Sequence, residues 1–387
     1  MLDVQAFLRE ITSMEEYKNQ ITAVKTIPAE KSVYGDAGLG EFLESLLKRV
    51  GIEKLYSHQA TALEKARSGE NLVVVSGTAS GKTLCYNLPV LEALNADPNA
   101  TALYLYPTKA LAQDQQRKIR DLWPDLCFGT YDGDTPPTDR RKLKDRGRLL
   151  LTNPDMLSGS VLPHHDSFSR FFSNLKYVVI DEVHAYKGAF GSHVSIVLAR
   201  LKRVAEKYGA KPQFIMTSAT IRNPKELAEG LIKEPVSVVD NDGAPKGQKT
   251  FVLWNPPFDE SKGVRLSANA EANRLFVSLI KKRVRTIAFV RARVTAELLY
   301  RYAVDELASY GLADKVRPYR GGYLPEDRRQ IEQALFSGEL LGVTSTNALE
   351  LGIDIGGLDA CIIVGYPGSV SSVWQQAGRA GRSRDES

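Results

Sequence analysis

The segment SGTASGKT, from Ser76 to Thr83, constrains the fold of this 387-residue chain more than any other feature. It directly follows the apolar run LVVVS at Leu72 and precedes an apolar helical stretch, which is the strand, loop and helix order of a phosphate-binding P-loop. Ser76 stands where the usual pattern has its first glycine. The loop chemistry survives this change, because Gly77 and Gly81 still allow backbone amides to curl around phosphate oxygens.

The same loop supplies side chains suited to a nucleotide. Lys82 is expected to reach the β and γ phosphates, and the hydroxyl of Thr83 is expected to ligate magnesium. The nucleotide-binding residues predicted in this segment are Thr78, Ala79, Ser80, Gly81, Lys82 and Thr83. The sequence therefore predicts ATP and Mg²⁺ as cofactors.

Two adjacent carboxylates end another apolar run. The segment DEVH, Asp181 to His184, follows YVVI at Tyr177. We expect Asp181 to hold magnesium and Glu182 to act as the general base that polarises the attacking water. Two acids at a strand end more often form only a solvated turn, but the P-loop upstream favours the catalytic interpretation. No second histidine lies close enough in sequence to pair with His184 as a metal ligand, so we expect His184 to contact the next motif.

A third motif, QQAGRAGR from Gln375 to Arg382, carries arginines three residues apart. Arginine suits the charge that spreads over phosphoryl oxygens during hydrolysis, although a basic helix end can also face solvent or nucleic acid. We take Gln375, Arg379 and Arg382 as candidate catalytic residues. Because they lie far along the chain from Lys82, we expect ATP to be bound between two domains that open and close.

Short apolar runs that end in polar or glycine turns recur along both halves of the chain, with helical patterns between them. They begin at Leu72, Ala102, Tyr177 and Gln213 in the first half and at Phe251, Thr286, Gly342 and Ala360 in the second. Alternation of this kind predicts parallel sheets whose active residues follow the strand ends. The predicted fold class is α/β, with two tandem RecA-like P-loop domains whose parallel sheets are flanked by helices.

The segment Asp240 to Lys249, DNDGAPKGQK, has the composition of a linker. We place the domain boundary there, which gives a first RecA-like domain over residues 53–244 and a second over 245–387. Residues 1–52 are expected to form a helical accessory segment.

Composition excludes some classes of protein and leaves others open. No apolar run approaches the roughly 20 residues of a bilayer-spanning helix, and the N-terminus lacks a secretory signal, so a cytoplasmic location is expected. Cys85, Cys127 and Cys361 lie far apart and predict no zinc site. A net charge of +5 permits a polyanionic partner without requiring one.

A family resemblance covers most of the chain. The P-loop, DEVH and QQAGRAGR occur in order with SHQ (57–59), PTKALAQDQ (107–115), TNPDML (152–157), TSAT (217–220) and STNALELGIDI (345–355), and this ordered set resembles the DExH-box superfamily 2 helicases. More narrowly, TYDGDT (130–135), DEVHAYKGAFGSHV (181–194), YRGGYLPEDRR (319–329) and GYPGSVSSVWQQAGRAGR (365–382) resemble the bacterial YprA/MrfA group, which is related to the RecQ-like Hrq helicases.

The resemblance implies an ATP hydrolase that translocates 3′ to 5′ on single-stranded or tailed DNA in a repair setting. It implies that Tyr56 and Gln59 contact the adenine, that Gly352 and Asp354 face the nucleotide, and that His184, Ser218 and Thr220 couple the ATP site to the nucleic acid. It implies a sequence-tolerant DNA groove formed by Pro107, Thr108, Lys109, Thr152, Asn153, Pro154, Arg291, Arg320 and Thr346.

Two alternatives remain open: a superfamily 2 helicase directed at RNA, and an ATP-switched nucleic-acid-binding module that does not unwind. The intact set of Lys82, Asp181 and Glu182 argues against a module that has lost hydrolysis. The family's second RecA domain continues beyond the last motif, whereas this sequence ends at Ser387, so the second domain is expected to be truncated.

Overall fold

The computed structural model describes residues 3–77, 80–261, 263–350 and 357–381. The chain divides into two compact units. The first, called here the P-loop unit, is Ser32–Ala244; the second unit is Met1–Lys31 together with Pro245–Ser387. The chain therefore passes from one unit to the other twice.

The α-helices, numbered along the chain, are α1 Val4–Ser13, α2 Glu41–Arg49, α3 Ser57–Arg67, α4 Lys82–Ala96, α5 Lys109–Leu122, α6 Pro137–Arg146, α7 Pro154–Met156, α8 Ser169–Ser173, α9 Gly188–Lys207, α10 Pro224–Ile232, α11 Ala268–Lys281, α12 Arg293–Ala308, α13 Pro325–Phe336 and α14 Val370–Ala377. The strands are β1 Ile21–Ile27, β2 Tyr34–Gly35, β3 Leu55–Tyr56, β4 Leu72–Val75, β5 Thr101–Leu105, β6 Phe128–Thr130, β7 Leu149–Thr152, β8 Leu175–Ile180, β9 Gln213–Ser218, β10 Ser237–Val239, β11 Lys249–Trp254, β12 Phe258–Asp259, β13 Val264–Arg265, β14 Thr286–Phe289, β15 Val316–Tyr319, β16 Gly342–Ser345 and β17 Ala360–Ile363. Within the described residues, no helix is both long enough and apolar enough to cross a membrane.

The P-loop unit is built on a parallel sheet with the strand order β10-β4-β9-β8-β5-β7-β6. Its strands are apolar without alternation because both faces are covered. In β4, Leu72 and Val74 belong to one hydrophobic core, whereas Val73 and Val75 belong to the other. Helix residues such as Leu43 and Leu198 complete the two cores.

This strand order sorts the motifs along the carboxyl edge of the sheet. The P-loop, TSAT and DEVH follow β4, β9 and β8, which are consecutive neighbours. The segments PTKALAQDQ, TNPDML and TYDGDT follow β5, β7 and β6, which are the next neighbours. One stretch of the edge therefore carries the predicted nucleotide motifs, and the adjoining stretch carries the predicted groove motifs.

The second unit contains a smaller parallel sheet with the order β15-β16-β14-β17. Its core includes Phe276 of α11 and Leu299 of α12. Gly342, at the start of β16, has no room for a side chain, because a Cβ there would lie 2.6 Å from Phe276 and 2.7 Å from Ile280. The predicted α/β class, with RecA-like parallel sheets flanked by helices, is confirmed.

The N-terminal segment differs from its expectation as a helical accessory segment over residues 1–52. β1 pairs antiparallel with β11, from Ile27 opposite Lys249 to Ile21 opposite Trp254. Phe7 and Ile11 of α1 pack with other residues of the second unit. Residues 1–31 thus belong to the second unit and the rest to the P-loop unit. The run FVLW, expected in a parallel sheet, instead forms part of this antiparallel ribbon. The expected boundary near Pro245 coincides with a limit between units.

Candidate functional site

The P-loop ends in a backbone turn that only glycine accommodates well. Gly81 has φ +77° and precedes α4 directly. A Cβ at this position would lie 2.5 Å from the Nε2 atom of Gln59, so both conformation and space exclude a side chain. The free amides and positive dipole end of α4 therefore face the loop, as an anion-binding site requires.

Ser76, which replaces the usual first glycine, makes a side-chain contact across the P-loop. Its Oγ lies 2.6 Å from the Oγ of Ser80, which in turn donates to the carbonyl oxygen of Gly77 at 2.9 Å. Both serines are buried. A glycine at position 76 could not make the first of these contacts, so the serine adds a bond across the loop that the usual sequence lacks.

Lys82 projects back over the loop. Its Nζ donates to the carbonyl oxygens of Ser76 at 3.2 Å and Ser218 at 3.3 Å. The ammonium group thus lies between the end of β4 and the end of β9. Carbonyl oxygens are acceptors that phosphate oxygens can replace, so the geometry suits the predicted phosphate contact.

Gln59 is buried and its amide group is bonded at both ends. The Oε1 atom accepts from the backbone N–H of Tyr56 at 2.9 Å, and Nε2 donates to the carbonyl oxygen of Gly81 at 3.0 Å. The side chain therefore braces the P-loop, and its predicted contact with adenine stays a prediction. Tyr56 stacks against Tyr34, with ring centroids 5.6 Å apart. Tyr34 is 47% exposed and the sequence did not single it out.

Asp181 and Glu182 leave the end of β8 in a constrained arrangement. Thr217 donates its hydroxyl to the Oδ1 atom of Asp181, and that atom also accepts from the N–H of Glu182 at 3.0 Å. Glu182 has φ +54°, an uncommon conformation for a residue other than glycine. The same Thr217 hydroxyl oxygen accepts from the N–H of Glu182 at 3.3 Å. Thr217 thus positions both carboxylate residues, although the sequence analysis did not select it.

Burial and the neighbouring charge of Glu182 raise the pKa of Asp181 to about 6, whereas the hydroxyl of Thr217 and the charge of Lys82 act in the opposite direction. A carboxylate removed from water in this way favours a bound cation. Thr83 lies in the first turn of α4, directly after Lys82. An aspartate carboxylate and a threonine hydroxyl are oxygen ligands of the kind Mg²⁺ takes, so both predicted metal residues fit the ion chemically.

His184 joins the DEVH and TSAT segments. Its Nδ1 accepts from the N–H of Ala219 at 3.1 Å and lies 3.3 Å from the Oε2 atom of Glu182. Ser218 contributes its carbonyl oxygen to Lys82 and donates its hydroxyl to the carbonyl oxygen of Ala219 at 2.8 Å. Thr220 is exposed. The contacts between motifs are thus made by His184 and by the backbone of TSAT, and coupling through Thr220 stays a prediction.

Several predicted groove residues of the P-loop unit hold the backbone instead of offering a side chain. Thr152 is buried and donates its hydroxyl to the carbonyl oxygen of Tyr131 at 2.7 Å, and Pro154 is also buried. The hydroxyl of Thr152 is thus already bonded within the unit, as a buried polar group requires, and contact of these two residues with nucleic acid stays a prediction. Asn153 caps α7 by accepting from the N–H of Met156 at 2.8 Å.

The PTK segment is more open. Pro107 is half-buried, whereas Thr108 is exposed and accepts from the N–H of Leu111 at 3.3 Å as the cap of α5. Lys109 makes an ion pair with Asp134 of the TYDGDT segment at 3.0 Å. That pair ties the loop after β5 to the loop after β6. The backbone amides at the start of α5 thus lie beside the half-exposed ammonium group of Lys109.

In the second unit, Arg291 lies exposed after β14 and lines a cavity of about 220 Å³. The Nε atom of Arg320 lies 3.0 Å from Glu297, and its guanidinium group stacks 4.9 Å from the ring centre of Tyr323. Thr346 is buried. Of the three groove residues predicted here, Arg291 is exposed, Arg320 is half-buried and Thr346 is buried.

Arg379 differs from an exposed arginine finger. It is 3% exposed, and its Nη2 donates to the carbonyl oxygen of Glu350 at 2.5 Å. Glu350 also accepts from the Nε2 atom of Gln376 at 2.9 Å. Gln375 is buried as well. In this structure Arg379 braces the backbone at Glu350. The predicted residues Thr78, Ala79, Gly352, Asp354 and Arg382 lie outside the described residues.

Two RecA-like sheets, a P-loop, and paired acids tied to a TSAT segment define a P-loop protein of the helicase type. The DEAD/DEAH box helicase family matches residues 56–227, and the helicase conserved C-terminal domain matches residues 271–384. The Bacillus subtilis protein described as the uncharacterized ATP-dependent helicase YprA is 50% identical over 369 residues, which are 94% of this chain and 48% of the relative. The Schizosaccharomyces pombe ATP-dependent helicase hrq1 is 40% identical over 403 residues, covering 99% of this chain and 38% of the relative.

Among solved structures, the DUF1998 helicase MrfA bound to DNA and AMPPNP superposes with a TM-score of 0.92 at 46% identity, over 98% of this chain and 54% of that one. The chain belongs to the DExH-box superfamily 2 helicases of the YprA/MrfA group. It spans about half the length of the relatives that it matches.

Thr217→Val should lower the free energy of unfolding of the P-loop unit by about 1–3 kcal/mol, because a buried carboxylate and a buried N–H would each lose a partner. Urea denaturation measures the change. Thr220→Val, an exposed threonine of the same segment, is the matched control. Equal effects of the two substitutions would show that the Thr217 hydroxyl does not hold the acids.

Proposed function

We propose that this chain is an ATP-hydrolysing motor that moves 3′ to 5′ along single-stranded DNA and acts in DNA repair in the cytoplasm. The observation that carries the proposal is the convergence at the end of β9. Lys82, Asp181 and His184 all bond to the segment from Thr217 to Ala219. A change at the bound phosphate can therefore reach the end of β9, which only β8 separates from β5, the nearest strand that carries a predicted groove motif.

ATP binding follows from the loop geometry. The phosphates take the position in front of α4, where backbone amides and the helix dipole favour anions. Lys82 exchanges its two carbonyl partners for phosphate oxygens. Asp181 and Thr83 would hold Mg²⁺, which would neutralise negative charge on the phosphates.

Hydrolysis requires a base beside the γ-phosphate. Glu182 accepts a proton from the attacking water while the water oxygen bonds to the γ-phosphorus and ADP leaves, so that ADP and phosphate are released. Thr217 holds the backbone N–H of Glu182, and the Nδ1 atom of His184 lies 3.3 Å from the Oε2 atom of this carboxylate. Arg379 holds the backbone at Glu350. Arg382 is the residue that we propose as the arginine finger.

DNA is the proposed polyanion because the related MrfA structures contain it. On this chain, the capped start of α5 offers backbone amides, and Lys109 and Arg291 offer cations. These groups suit phosphates and do not read bases, so binding should tolerate many sequences. Movement results if the two units grip the strand alternately as ATP is bound and hydrolysed.

Glu182→Gln should reduce steady-state ATP hydrolysis by roughly 100-fold or more, because the amide cannot accept the proton of the attacking water. Affinity for ATP should stay within a few-fold of the unchanged protein, since the P-loop is untouched. Phosphate release in the presence of single-stranded DNA measures the first quantity, and fluorescent-nucleotide titration measures the second.

Glu44→Gln, on the exposed face of α2, makes the same chemical change away from the site and should leave hydrolysis unaltered. Turnover of Glu182→Gln close to that of this control would remove Glu182 from the role of general base.

Arg291→Ala should weaken binding of single-stranded DNA and make it less sensitive to salt. Each phosphate contact on a single strand contributes about 0.7 to the slope of log affinity against log salt, so losing one contact should lower the slope by about that amount. Anisotropy titrations over a range of salt concentrations measure it. Arg301→Ala, an exposed arginine on α12, should leave the slope unchanged. Identical slopes for both variants would place Arg291 outside the groove.

A further inference from the structure

The segment that leaves the P-loop unit is bound to the nucleotide loop. Residues 240–244, called here the connector, precede the second passage of the chain between units. The sequence predicts a linker between the two domains here. Instead, the Oδ2 atom of Asp242 accepts from the backbone N–H of Gly77 in the P-loop at 3.0 Å. The connector is thus attached to the same loop that is proposed to hold the phosphates.

A second bridge runs through His58, which is fully buried. Its Nδ1 accepts from the N–H of Gly243 at 3.2 Å, and its Nε2 lies 3.0 Å from the carbonyl oxygen of Ser80. With Nδ1 as acceptor, the ring proton is on Nε2 and is donated to Ser80. One neutral imidazole therefore links the connector to the far side of the P-loop.

The connector is also tightly packed. A Cβ on Gly243 would collide with the carbonyl oxygen of Val33 and the hydroxyl of Ser57. Val33 donates its N–H to the backbone carbonyl oxygen of Gly243 at 2.9 Å. Ser57 donates its hydroxyl to the backbone carbonyl oxygen of Asn241 at 2.8 Å. These contacts leave the connector little freedom to move unless the bridges to the loop open.

We propose that Asp242 and His58 are positioning residues that make the connector respond to occupancy of the P-loop. Bound ATP stabilises the closed loop, and groups hydrogen-bonded to the closed loop are stabilised with it. The nucleotide state is thereby transmitted to the chain segment that enters the second unit. This inference rests on the proposed binding of ATP at the P-loop and adds a route by which that binding reaches the rest of the chain.

Hydrogen exchange at the amide of Gly243, which donates to His58 and not to the substituted Asp242, tests the inference. A ligand present at 100 times its Kd slows exchange by roughly 100-fold at every amide whose exchange needs the same opening. With AMPPNP and Mg²⁺ at that excess, we expect slowing on this scale in the unchanged protein. Asp242→Ala should reduce the slowing to under about tenfold, since one of the two bridges is lost. Asp242→Asn keeps an acceptor oxygen and should retain most of it.

Asp240→Ala is the matched control, because it removes an exposed carboxylate from the same connector. It should behave as the unchanged protein. A parallel AMPPNP titration distinguishes failure of nucleotide binding from failure of the coupling between the P-loop and the connector. The inference is overturned, while nucleotide binding stands, if AMPPNP binds but does not slow exchange at the Gly243 amide. It is also overturned if AMPPNP slows that exchange equally in Asp242→Ala. If AMPPNP does not bind to the folded, unchanged protein, both the proposed function and this inference fail.

Discussion

The parallel pairing of β4, β9 and β8 is the constraint on which the site depends. In this ladder Val75 lies opposite Ser218, and Ile180 lies opposite Met216. The three chain segments that follow must therefore leave the sheet side by side. Because of this register, Lys82 and His184 can reach the TSAT backbone and Asp181 can reach the hydroxyl of Thr217. A slip of one residue in β9 would exchange the faces of its side chains and move Thr217 away from Asp181.

The carboxyl edge of the sheet also places the predicted nucleotide motifs beside the predicted groove motifs without any residue belonging to both sets. β8 is bonded to β9 on one side and to β5 on the other. The nucleotide motifs end at β8, and the groove motifs begin at β5. Signals between them need to cross only one strand spacing, about 4.8 Å. The order of strands in the sheet thus makes neighbours of motifs that lie far apart in the sequence.

Local patterns in the sequence were sufficient for the phosphate loop, the acids and most of the longer strands. They were insufficient where a residue's role depends on a distant partner. In the sequence, Thr217 is recognisable only as part of a strand end. Its bonds to Asp181 and Glu182 depend on the register of the sheet. Thr152 and Pro154 are polar and turn-forming types that suit a groove, yet Thr152 ends β7 with a buried, bonded hydroxyl and Pro154 is the buried first residue of α7.

Non-local pairing also accounts for the N-terminal segment. The partner of β1 is β11, more than 200 residues further along the chain, and no spacing or composition rule connects the two. The composition of the connector likewise predicts only a linker, whereas its contacts come from His58 and Gly77, which are remote in sequence. The buried position of Arg379 could not be anticipated either, because a GR pair looks the same whether it faces phosphate or a carbonyl oxygen.

The central claim is that the phosphate site and the groove are energetically linked through the end of β9. The most direct test is the rate of ATP hydrolysis measured in parallel with single-stranded DNA, duplex DNA, RNA and no nucleic acid. Linkage predicts stimulation of roughly tenfold or more by single-stranded DNA, the scale of coupling between two sites, and less by RNA. Hydrolysis at the same rate under all four conditions, in protein that binds single-stranded DNA, would contradict the claim.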